Sequence, residues 1–367
     1  MTKIILSTGG TGGHIFPILS LFKELKKIEE VEEIKIITDK RATKYINLDD
    51  LKVIQSESPN RKQGIFHFLK SLLIIFFSTI NCLFFLIKFN PKVIVGSGGY
   101  VSFPVLLASL ILGKKIFLYE TNSVLGRVNK FFLPWCHKIF SGYENINNFP
   151  KKYEKKFFFS GQLLRKEFFD CVKENDYSQK LIQENEINIL NILVLGGSQG
   201  AKIFDEKLPQ CFKILNEKKI KFKINQQTTK DKIQLTKKFY DENKISDLVE
   251  DLFDFKENIL EYILKADIVI CRSGSSTLSE LSFLNKPFIA IPLPTSLDNH
   301  QYFNAKYYEE KNCCWVVDQN LKDFDNKIIK ILEDVYNLEH ILKNKIDNLK
   351  KINKKLVLDN FIRELLN

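Results

Sequence analysis

The segment STGGTGGHIFP (residues 7–17) places four glycines and a histidine directly after the short apolar run KIIL (3–6). Glycine is scarce in the chain as a whole, with 16 residues among 367. A strand followed by a glycine-rich turn and a helix exposes backbone N–H groups, and the helix N-terminus adds about half a positive charge. This arrangement is typical of a loop that binds phosphate.

The same strand–glycine–helix pattern recurs at residues 96–99, at 196–200 and at Gly274. For one such loop a tight turn is the simpler explanation, because glycine is the usual residue where the backbone needs a positive φ. Four loops together favour a phosphate ligand. Neither G-x-G-x-x-G nor G-x-x-x-x-G-K-[ST] occurs in the sequence, so the spacing does not indicate a dinucleotide or P-loop site.

Short β-branched runs alternate with helical patterns along the chain, which predicts parallel sheets with crossover helices. The first half has predicted strands at 3–7, 34–38, 92–96 and 115–120. The second half has predicted strands at 189–196, 221–225, 266–272, 287–292 and 313–318. We therefore predict an α/β protein with domains over 1–165 and 166–350, and a helix over 351–367 that packs back toward the first domain.

Charge and cysteine content limit the class of protein. Residues 51–160 contain 15 Lys+Arg against 4 Asp+Glu, which favours an anionic surface as a partner of the first domain. No recognised nucleic-acid motif occurs, so nucleic acid is not expected. The seven cysteines include no C-x-x-C pair and indicate a reducing cytosol. The first apolar run is too short for a signal peptide.

The loop CRSGSSTLSE (271–280) is the most informative of the four. A strand ends at Arg272, small residues turn the chain, and Glu280 follows inside the predicted helix. A carboxylate there can accept hydrogen bonds from both hydroxyls of a ribose whose diphosphate rests on the helix N-terminus. The alternative is an exposed acid that compensates the helix dipole.

Five motifs occur together and in order: STGGTGGHIFP, GSGGYVSFP (96–104), GGSQGA (196–201), CRSGSSTLSE and DNHQYFNA (298–305). In this the chain resembles the MurG family of N-acetylglucosaminyltransferases, in glycosyltransferase family 28. The resemblance implies a GT-B fold of two doubly wound Rossmann-like domains. It also implies inverting transfer of GlcNAc from UDP-GlcNAc to undecaprenyl-diphosphate-MurNAc-pentapeptide, a step of peptidoglycan synthesis that serves cell-wall biogenesis, cell shape and division. No cofactor and no metal are expected.

The resemblance also implies site residues. Those expected to bind UDP-GlcNAc are Thr11, Gly12, Gly13, Asn122, Arg165, Ser198, Lys256, Ser275, Ser276, Thr277, Leu278, Ser279, Glu280 and Gln301. Those expected at the acceptor diphosphate are Gly10, His14, Gly98, Gly99 and Tyr100. Within the first set, Glu280 would hold the ribose, Lys256 would meet the uracil through its backbone, and Gln301 would bind sugar hydroxyls.

The chain departs from the family pattern in three places. It has Tyr119-Glu120-Thr121-Asn122 where the family usually has H-E-Q-N. It has GQLLR (161–165) where the family usually has G-N-P-V-R, so a proline is missing before Arg165. It has His300-Gln301 where the family has two glutamines.

An inverting transfer needs a base that takes the proton from the acceptor hydroxyl. His14 is the first candidate, because it stands where the glycine loop meets the helix and imidazole titrates near neutral pH. Alternatively, His14 hydrogen-bonds the loop or binds a phosphate and takes no proton. Glu120, at the end of a predicted strand, is the second candidate base.

The segment 66–89 is predicted to be a helix, and no residue from Ser71 to Ile87 is charged. At 1.5 Å per residue this uncharged stretch extends about 25 Å, at the lower limit for crossing a bilayer. Strands of one predicted sheet lie before and after it, which argues against a crossing. The polar residues His67, Ser71, Ser78 and Asn81 form only a weak stripe. An ordinary crossover helix is the alternative, but the apolar arc is wider than packing on one sheet face needs. We therefore predict an interfacial helix: one flank packs on the sheet, and the other docks on an anionic membrane through residues 61–92.

The predicted location is the cytoplasmic face of the cell membrane, as a peripheral protein. Two other enzyme activities fit the same architecture: a GT-B glycosyltransferase with another lipid acceptor, and an isomerase like the UDP-GlcNAc 2-epimerases. A membrane-docked protein that binds a nucleotide sugar without catalysis is a third alternative. An epimerase acts on a soluble substrate, so the apolar and basic segment 61–92 would have no role in that activity.

Overall fold

The computed structural model describes residues 1–10, 12–42, 51–55, 64–174, 189–197, 200–256, 258–352 and 358–366. The chain divides into two compact units: unit 1 comprises Met1–Arg165 and Lys355–Asn367, and unit 2 comprises Lys166–Lys354. Each unit is built on one parallel sheet with helices packed against it. The predicted fold class, two α/β domains with parallel sheets, is confirmed.

Unit 1 alternates strands and helices along the chain. Its strands are β1 (Thr2–Ser7), β2 (Val31–Thr38), β3 (Leu51–Val53), β4 (Val93–Gly96), β5 (Lys115–Glu120), β6 (Lys138–Ser141) and β7 (Phe157–Phe159). Its helices are α1 (Gly12–Leu25), α2 (Ile65–Phe89), α3 (Gly99–Ile111), α4 (Arg127–Phe132) and, from the C-terminus, α13 (Leu358–Leu366). A 3₁₀ helix (Lys151–Lys156) precedes β7.

The seven strands pair in the order β3-β2-β1-β4-β5-β6-β7, all in parallel. Successive residues of the central strands alternate between two apolar cores. Ile5 and Ile94 belong to the core under α2 and α3, whereas Leu6 and Val95 belong to the core under α1. Because both faces are covered, these strands are apolar throughout, which is why the sequence pattern predicted them.

Strands β3, β6 and β7 were not predicted from the sequence. They are three or four residues long, and β3 and β7 lie at the two edges of the sheet. Edge strands bury only part of each side chain, as in β7, where all three phenylalanines are partly exposed. So short a segment carries too few residues for a periodic signal.

The C-terminal helix α13 belongs to the core of unit 1. Phe361 is fully buried and packs edge-on against Phe140 of β6. Lys138 forms an ion pair with Glu364 at the rim of the same contact. The chain therefore leaves unit 1 after Arg165 and returns to it at its end.

Helix α2 has its serine and threonine residues on the protein side and large apolar residues on the outside. Ser71, Ser78 and Thr79 are buried, and Ser78 donates a hydrogen bond to the carbonyl of Gln55 (2.8 Å). The exposed large side chains are Ile65, Phe66, Leu69, Leu72, Leu73, Phe76, Phe77, Phe84 and Ile87. The weak polar stripe noted in the sequence thus does not face solvent at Ser71 and Ser78.

Length and composition make α2 the one helix among the described residues that could cross a membrane, with a mean hydropathy of 2.3. The sheet argues against a crossing. Strand β1, which precedes α2, pairs with β4, which follows it, over Ile4–Ser7. Hydrogen-bonded neighbours in one sheet cannot lie on opposite sides of a bilayer.

Unit 2 has the same organisation. Its strands are β8 (Leu190–Leu195), β9 (Phe222–Gln227), β10 (Val249–Phe253), β11 (Ile268–Arg272), β12 (Phe288–Ile291) and β13 (Cys314–Val316). Its helices are α5 (Lys166–Glu174), α6 (Lys202–Glu217), α7 (Ile233–Glu242), α8 (Ile259–Lys265), α9 (Ser275–Phe283), α10 (His300–Glu310), α11 (Phe324–Asn337) and α12 (Glu339–Lys351). Short 3₁₀ helices cover Ser246–Leu248 and Leu297–Asn299.

The unit 2 sheet has the order β10-β9-β8-β11-β12-β13 and is parallel throughout. Ile192, Val194 and Ile270 point into a core completed by α6 and α11. Strand β10 was not predicted from the sequence. It is an edge strand with the sequence VEDLF, and most of its residues are partly exposed. Its two acidic residues interrupt the apolar pattern by which the other strands were predicted.

Lys286 is a buried cation beside this sheet. Its ammonium donates to the carbonyls of Leu264 and Ala266 (both 2.7 Å), at the end of α8. Burial lowers the pKa of Lys286 to about 8, partly opposed by Asp267. The side chain thus closes the C-terminal end of a helix and bears a desolvation penalty while it is charged.

We expect this penalty to appear as a pH-dependent stability difference between the wild type and Lys286→Met. From about pH 8 to 10.5 the unfolded chain still binds the Lys286 proton while the folded chain has lost it. Wild-type stability should therefore rise with pH relative to the variant, by up to about 3 kcal/mol. Denaturant unfolding followed through Trp315 of unit 2, with Trp135→Phe in both proteins, measures this. A gap that stays constant with pH would contradict the assignment.

Candidate active site

The order of strands in unit 1 reverses between β1 and β4, and the first two glycine loops follow these two strands. Ser7 is in register with Gly96, and Ser97 donates its backbone N–H to the Ser7 carbonyl (2.9 Å). The two loops therefore leave the sheet side by side. In doubly wound sheets ligands bind at this topological switch point, beyond the carboxyl ends of the strands.

Close packing explains why glycine stands in these loops. A Cβ on Gly9 would lie 2.3 Å from Cγ2 of Val101, so no larger residue fits. Gly98 has a φ of +80°, which side chains rarely adopt. Helices α1 and α3 begin at Gly12 and Gly99. Two helix N-termini thus start at one switch point, an arrangement that favours an anion.

His14 lies in the first turn of α1. Its Nδ1 is 2.9 Å from the carbonyl oxygen of Ser97 and 3.5 Å from Oγ1 of Thr121. A carbonyl oxygen can only accept, so the Ser97 contact assigns the proton of neutral His14 to Nδ1 and the lone pair to Nε2. Thr8 donates to the His14 carbonyl (2.8 Å) and holds the turn.

Glu120, at the end of β5, is buried and accepts hydrogen bonds from the loop that follows. Its carboxylate accepts hydrogen bonds from the backbone N–H groups of Asn122 (3.1 Å) and Gly126 (2.8 Å) and from Nδ2 of Asn129 (2.9 Å). Burial raises the pKa of Glu120, and these hydrogen bonds oppose the rise. Both oxygens are therefore engaged in holding residues 120–126 in place.

Arg165, Asn122 and Tyr100 also lie in unit 1. The Arg165 guanidinium carbon is 5.4 Å from the ring centroid of Phe16 in α1, two residues beyond His14. Asn122 donates to Oγ1 of Thr121 (3.1 Å), and that hydroxyl is the one near His14. Tyr100 stands in the first turn of α3 and is partly exposed.

The strand order of unit 2 reverses between β8 and β11, and the other two glycine loops follow these strands. Gly196 could not carry a side chain, because a Cβ would lie 2.7 Å from the backbone nitrogen of Ala201. Gln227 holds this loop: its Oε1 accepts from Gly197 N (3.1 Å) and its Nε2 donates to Gly197 O (3.2 Å). Sequence analysis missed Gln227, which lies 30 residues away.

Glu280 is the sixth residue of α9 and is only 7% exposed. Ser279 donates back to the Ser275 carbonyl (2.7 Å), and Leu278 is fully buried in the core. The Leu278 N–H donates to the carbonyl of Gly274 (3.1 Å), so Leu278 and Ser279 both stabilise the start of α9. Ser275 and Ser276 begin the helix with Thr277, so their backbone N–H groups lie at the N-terminus of α9.

Arg272 brings a positive charge to the same switch point and was not among the predicted site residues. It ends β11, and its Nη1 donates to the carbonyls of Ile291 (3.1 Å) and Pro292 (3.3 Å). Its guanidinium lies over the ring of Phe204. Burial lowers the pKa of Arg272 to about 10, so the group stays charged at neutral pH.

Two further predicted site residues of unit 2 are Lys256, which follows β10, and Gln301, which lies in the first turn of α10. The Lys256 ammonium pairs with Asp251 (2.9 Å), which raises the pKa of Lys256, so its side chain is engaged away from a ligand. Oε1 of Gln301 accepts from Leu293 N (2.9 Å) and steadies the loop before α10. Two other predicted residues, Thr11 and Ser198, lie outside the described residues.

The structure places most of the predicted loop residues of each unit at the switch point of that unit. Gly10, Gly12, Gly13, His14, Gly98 and Gly99 gather at the switch point of unit 1. Ser275 to Glu280 gather at that of unit 2. In the described part of the chain, no three His, Cys, Asp or Glu side chains form a group that could hold a metal ion.

Two doubly wound units, each with a glycine-lined switch point suited to phosphate, place the protein in the GT-B fold class. The sequence matches the glycosyltransferase family 28 N-terminal domain over residues 4–141 and the family 28 C-terminal domain over 191–360. The chain belongs to glycosyltransferase family 28. The predicted family resemblance is thereby confirmed, and the protein is a glycosyltransferase.

Relatives align along nearly the whole chain. A protein of Pelagibacter ubique is 37% identical over 357 residues, which cover 96% of this chain and 94% of the relative. A protein of Rickettsia canadensis is 37% identical over 370 residues and covers both chains completely. Both relatives are named UDP-N-acetylglucosamine–N-acetylmuramyl-(pentapeptide) pyrophosphoryl-undecaprenol N-acetylglucosamine transferase.

Solved structures support the fold. The crystal structure of Acinetobacter baumannii MurG aligns with a TM-score of 0.78 at 21% identity, covering 100% of this chain and 99% of that one. The UDP-GlcNAc 2-epimerase of Neisseria meningitidis, bound to UDP-GlcNAc, aligns with a TM-score of 0.67 at 14% identity, covering 99% of both. At these identities the likeness concerns the fold alone, which transferases and epimerases share.

Proposed function

We propose that this glycosyltransferase moves GlcNAc from UDP-GlcNAc to the C4 hydroxyl of MurNAc-pentapeptide on undecaprenyl diphosphate, with inversion at the anomeric carbon. The product would be lipid II, the precursor of peptidoglycan. Relatives named for this reaction, 37% identical along the whole chain, support the choice of substrates. The observation that carries the proposal is the N-terminus of α9, where small residues begin the helix and the nearly buried Glu280 follows in its second turn.

The donor is assigned mainly to unit 2. The diphosphate would accept hydrogen bonds from the N–H groups at the start of α9, with Arg272 as the nearby positive charge. Glu280 would accept from the ribose hydroxyls, and the backbone at Lys256 would meet the uracil. Gln301 would contact the sugar. The further donor contacts proposed are Thr11, Gly12, Gly13, Asn122, Arg165 and Ser198.

The acceptor diphosphate is assigned to the switch point of unit 1. Gly10, Gly98, Gly99 and Tyr100 border it, together with His14. A supporting observation is that α1 and α3 both begin at this switch point, because two helix N-termini together favour an anion.

His14 is the proposed general base. With its Nδ1 proton donated to Ser97, Nε2 carries the lone pair that takes the proton from the acceptor hydroxyl as that oxygen attacks C1. The C1–O bond to UDP breaks in the same displacement, and the leaving diphosphate keeps the electron pair beside the α9 N-terminus. Glu120 suits this role less, because its oxygens already accept three close hydrogen bonds.

We assign membrane docking to α2 and its surroundings. Besides the outward phenylalanines and leucines of α2, Ile111, Phe131 and Trp135 of unit 1 are also exposed. Lys88 and Lys92 are exposed at the end of α2, Lys70 near its start. Apolar side chains would enter the interface while lysines meet anionic headgroups, each lysine contributing about 1 kcal/mol. Arg61 and Lys62, part of the predicted basic flank, lie outside the described residues.

The location that follows from these proposals is the cytoplasmic face of the cell membrane, where the protein would be peripheral and docked through α2. The donor is a water-soluble nucleotide sugar, and the acceptor sugar is tied to the membrane through its lipid. A peripheral enzyme that rests on the bilayer can reach both. The position of α2 inside the sheet connectivity of unit 1 supports docking over crossing.

Glu280→Gln tests the ribose contact. The amide keeps the size of the side chain but loses the negative charge and one acceptor, so we expect the KM for UDP-GlcNAc to rise about tenfold or more. The KM for the acceptor should change less than threefold. Asp325→Asn, a carboxylate in the first turn of α11, is the matched control. Equal effects of both variants on the donor KM would refute the contact.

Release of UDP tests the proposed function. We expect rapid release from UDP-GlcNAc when a short-chain prenyl-diphosphate-MurNAc-peptide is present, and much slower release without it or from UDP-GalNAc. Conversion of UDP-GlcNAc to UDP-ManNAc without any acceptor would instead identify an epimerase. Release that depends on a diacylglycerol and not on the prenyl acceptor would identify another lipid glycosyltransferase.

A further inference from the structure

The last residues of unit 1 before the chain enters unit 2, residues 160–165, form no helix or strand but are firmly held. Ser160 donates its hydroxyl to the carbonyl of Ser141 at the end of β6 (3.1 Å). Leu163 and Leu164 are each only 5% exposed. The segment ends in Arg165, the last residue of this part of unit 1.

Tyr119, the penultimate residue of β5, holds this segment through its hydroxyl. The Tyr119 oxygen accepts the backbone N–H of Leu163 (3.0 Å), and its proton is donated toward Oε1 of Gln162 (3.4 Å). The ring is fully buried. Burial raises the pKa of the Tyr119 hydroxyl, so it remains protonated and can make both hydrogen bonds.

Gln162 connects the same segment to the residue that follows β5. Its Nε2 donates to the backbone carbonyl of Thr121, directly after β5 (3.3 Å). The carboxamide fits against the chain because residue 142 is glycine: a Cβ there would lie 2.1 Å from Cδ of Gln162. We call Tyr119, Gln162 and the N–H of Leu163 the linker clamp.

The linker clamp contacts the backbone next to two groups of the proposed mechanism, His14 and Arg165. On one side it fixes the backbone of Thr121, whose hydroxyl lies 3.5 Å from Nδ1 of His14. On the other side it fixes Gln162 and Leu163, three and two residues before Arg165, whose guanidinium rests on Phe16 of α1. A shift of residues 161–164 would therefore displace Arg165 relative to His14.

We propose that Tyr119 and Gln162 are positioning residues, which set the place of Arg165 and of the Thr121–Asn122 turn for the nucleotide sugar. The proposal rests on the proposed function, because it takes Arg165 as a donor contact. The clamp also accounts for two departures from the family pattern together. A leucine at 163 offers an N–H that a proline lacks, and the phenol at 119 accepts it.

The first test compares Tyr119→Phe with Tyr240→Phe. Tyr240 is a matched control, since it is also buried and donates its hydroxyl to a glutamine, Gln226 (2.6 Å), but in unit 2. Tyr119→Phe leaves the buried Leu163 N–H without an acceptor, so we expect the KM for UDP-GlcNAc to rise about tenfold with kcat within threefold. Tyr240→Phe should leave this KM unchanged. A merely structural loss would lower the active fraction, and hence kcat, without moving KM.

The second test is a double-mutant cycle with Leu163→Pro, which deletes the donor. In that background Tyr119→Phe should raise the donor KM less than twofold further, because neither partner of the hydrogen bond remains. Additive effects of the two substitutions would overturn the proposal. So would an equal rise of the donor KM in Tyr240→Phe.

Amide hydrogen exchange separates failure of the clamp from failure of the proposed function. In Tyr119→Phe, exchange of the Leu163 amide should be at least tenfold faster than in the wild type, and in Tyr240→Phe it should not change. This readout needs no activity. Unchanged exchange in folded Tyr119→Phe would overturn the clamp, whereas faster exchange in a protein without transferase activity would leave the clamp standing and refute the function.

Discussion

Replacing His14 with alanine is expected to lower kcat by about a hundredfold or more, because a general base contributes roughly 10²- to 10⁴-fold to such a transfer. The reason lies in the contact between Nδ1 and the Ser97 carbonyl, which leaves Nε2 as the proton acceptor. The wild type should also lose activity at acid pH as the imidazole is protonated. The variant should lack this acid limb. Steady-state UDP release between pH 5 and 9 measures both.

Two control variants sharpen the result. His340→Ala removes an exposed histidine of α12 and should leave kcat and its pH profile unchanged. Glu120→Gln disturbs the carboxylate that holds Asn122 and Gly126, so it should lower thermal stability yet keep the acid limb. If His14→Ala kept kcat within about threefold and raised only the acceptor KM, His14 would bind the acceptor phosphate and another group would be the base.

Replacing Phe76, Phe77 and Phe84 together with serine is expected to weaken binding to anionic vesicles about a hundredfold or more. These rings are 58%, 64% and 71% exposed, so removing them costs little folding stability. Each ring that enters the bilayer interface contributes on the order of 1 kcal/mol or more, and about 1.4 kcal/mol corresponds to a factor of ten. Co-sedimentation with vesicles of mixed anionic and zwitterionic lipid measures the change.

The matched control replaces exposed leucines of unit 2, Leu235, Leu297 and Leu321, with serine. This variant should bind vesicles like the wild type. The phenylalanine variant should retain activity on a short-chain acceptor in solution and lose it on acceptor embedded in vesicles. Vesicle binding that persists in the phenylalanine variant at wild-type strength would place the docking surface elsewhere on the protein.

Sequence reasoning succeeded where burial leaves a pattern along the chain. The prediction of a strand at 115–120 matches β5, because a central parallel strand is apolar on both faces. The glycine loops were also predictable, since glycines such as Gly9 and Gly196 are visible in the sequence itself. Their placement between a strand and a helix followed from the alternation of strands and helices.

The parts that could not be predicted depend on contacts between distant residues. Nothing near Tyr119 indicates that its hydroxyl meets Leu163, 44 residues later. The orientation of α2 was also hidden: Ser71 donates to the carbonyl of His67 in its own helix, so it can be buried without a partner in the core. Periodicity shows that a helix is apolar but does not say which side touches the sheet.

The central claim is that the switch point of unit 2 binds the nucleotide of the donor. A crystal structure of the protein with UDP tests it most directly. The account predicts the diphosphate on the N–H groups at Ser275 and Ser276, with the ribose hydroxyls within hydrogen-bond distance of Glu280. A nucleotide bound at the glycine loops of unit 1, away from Glu280, would contradict it.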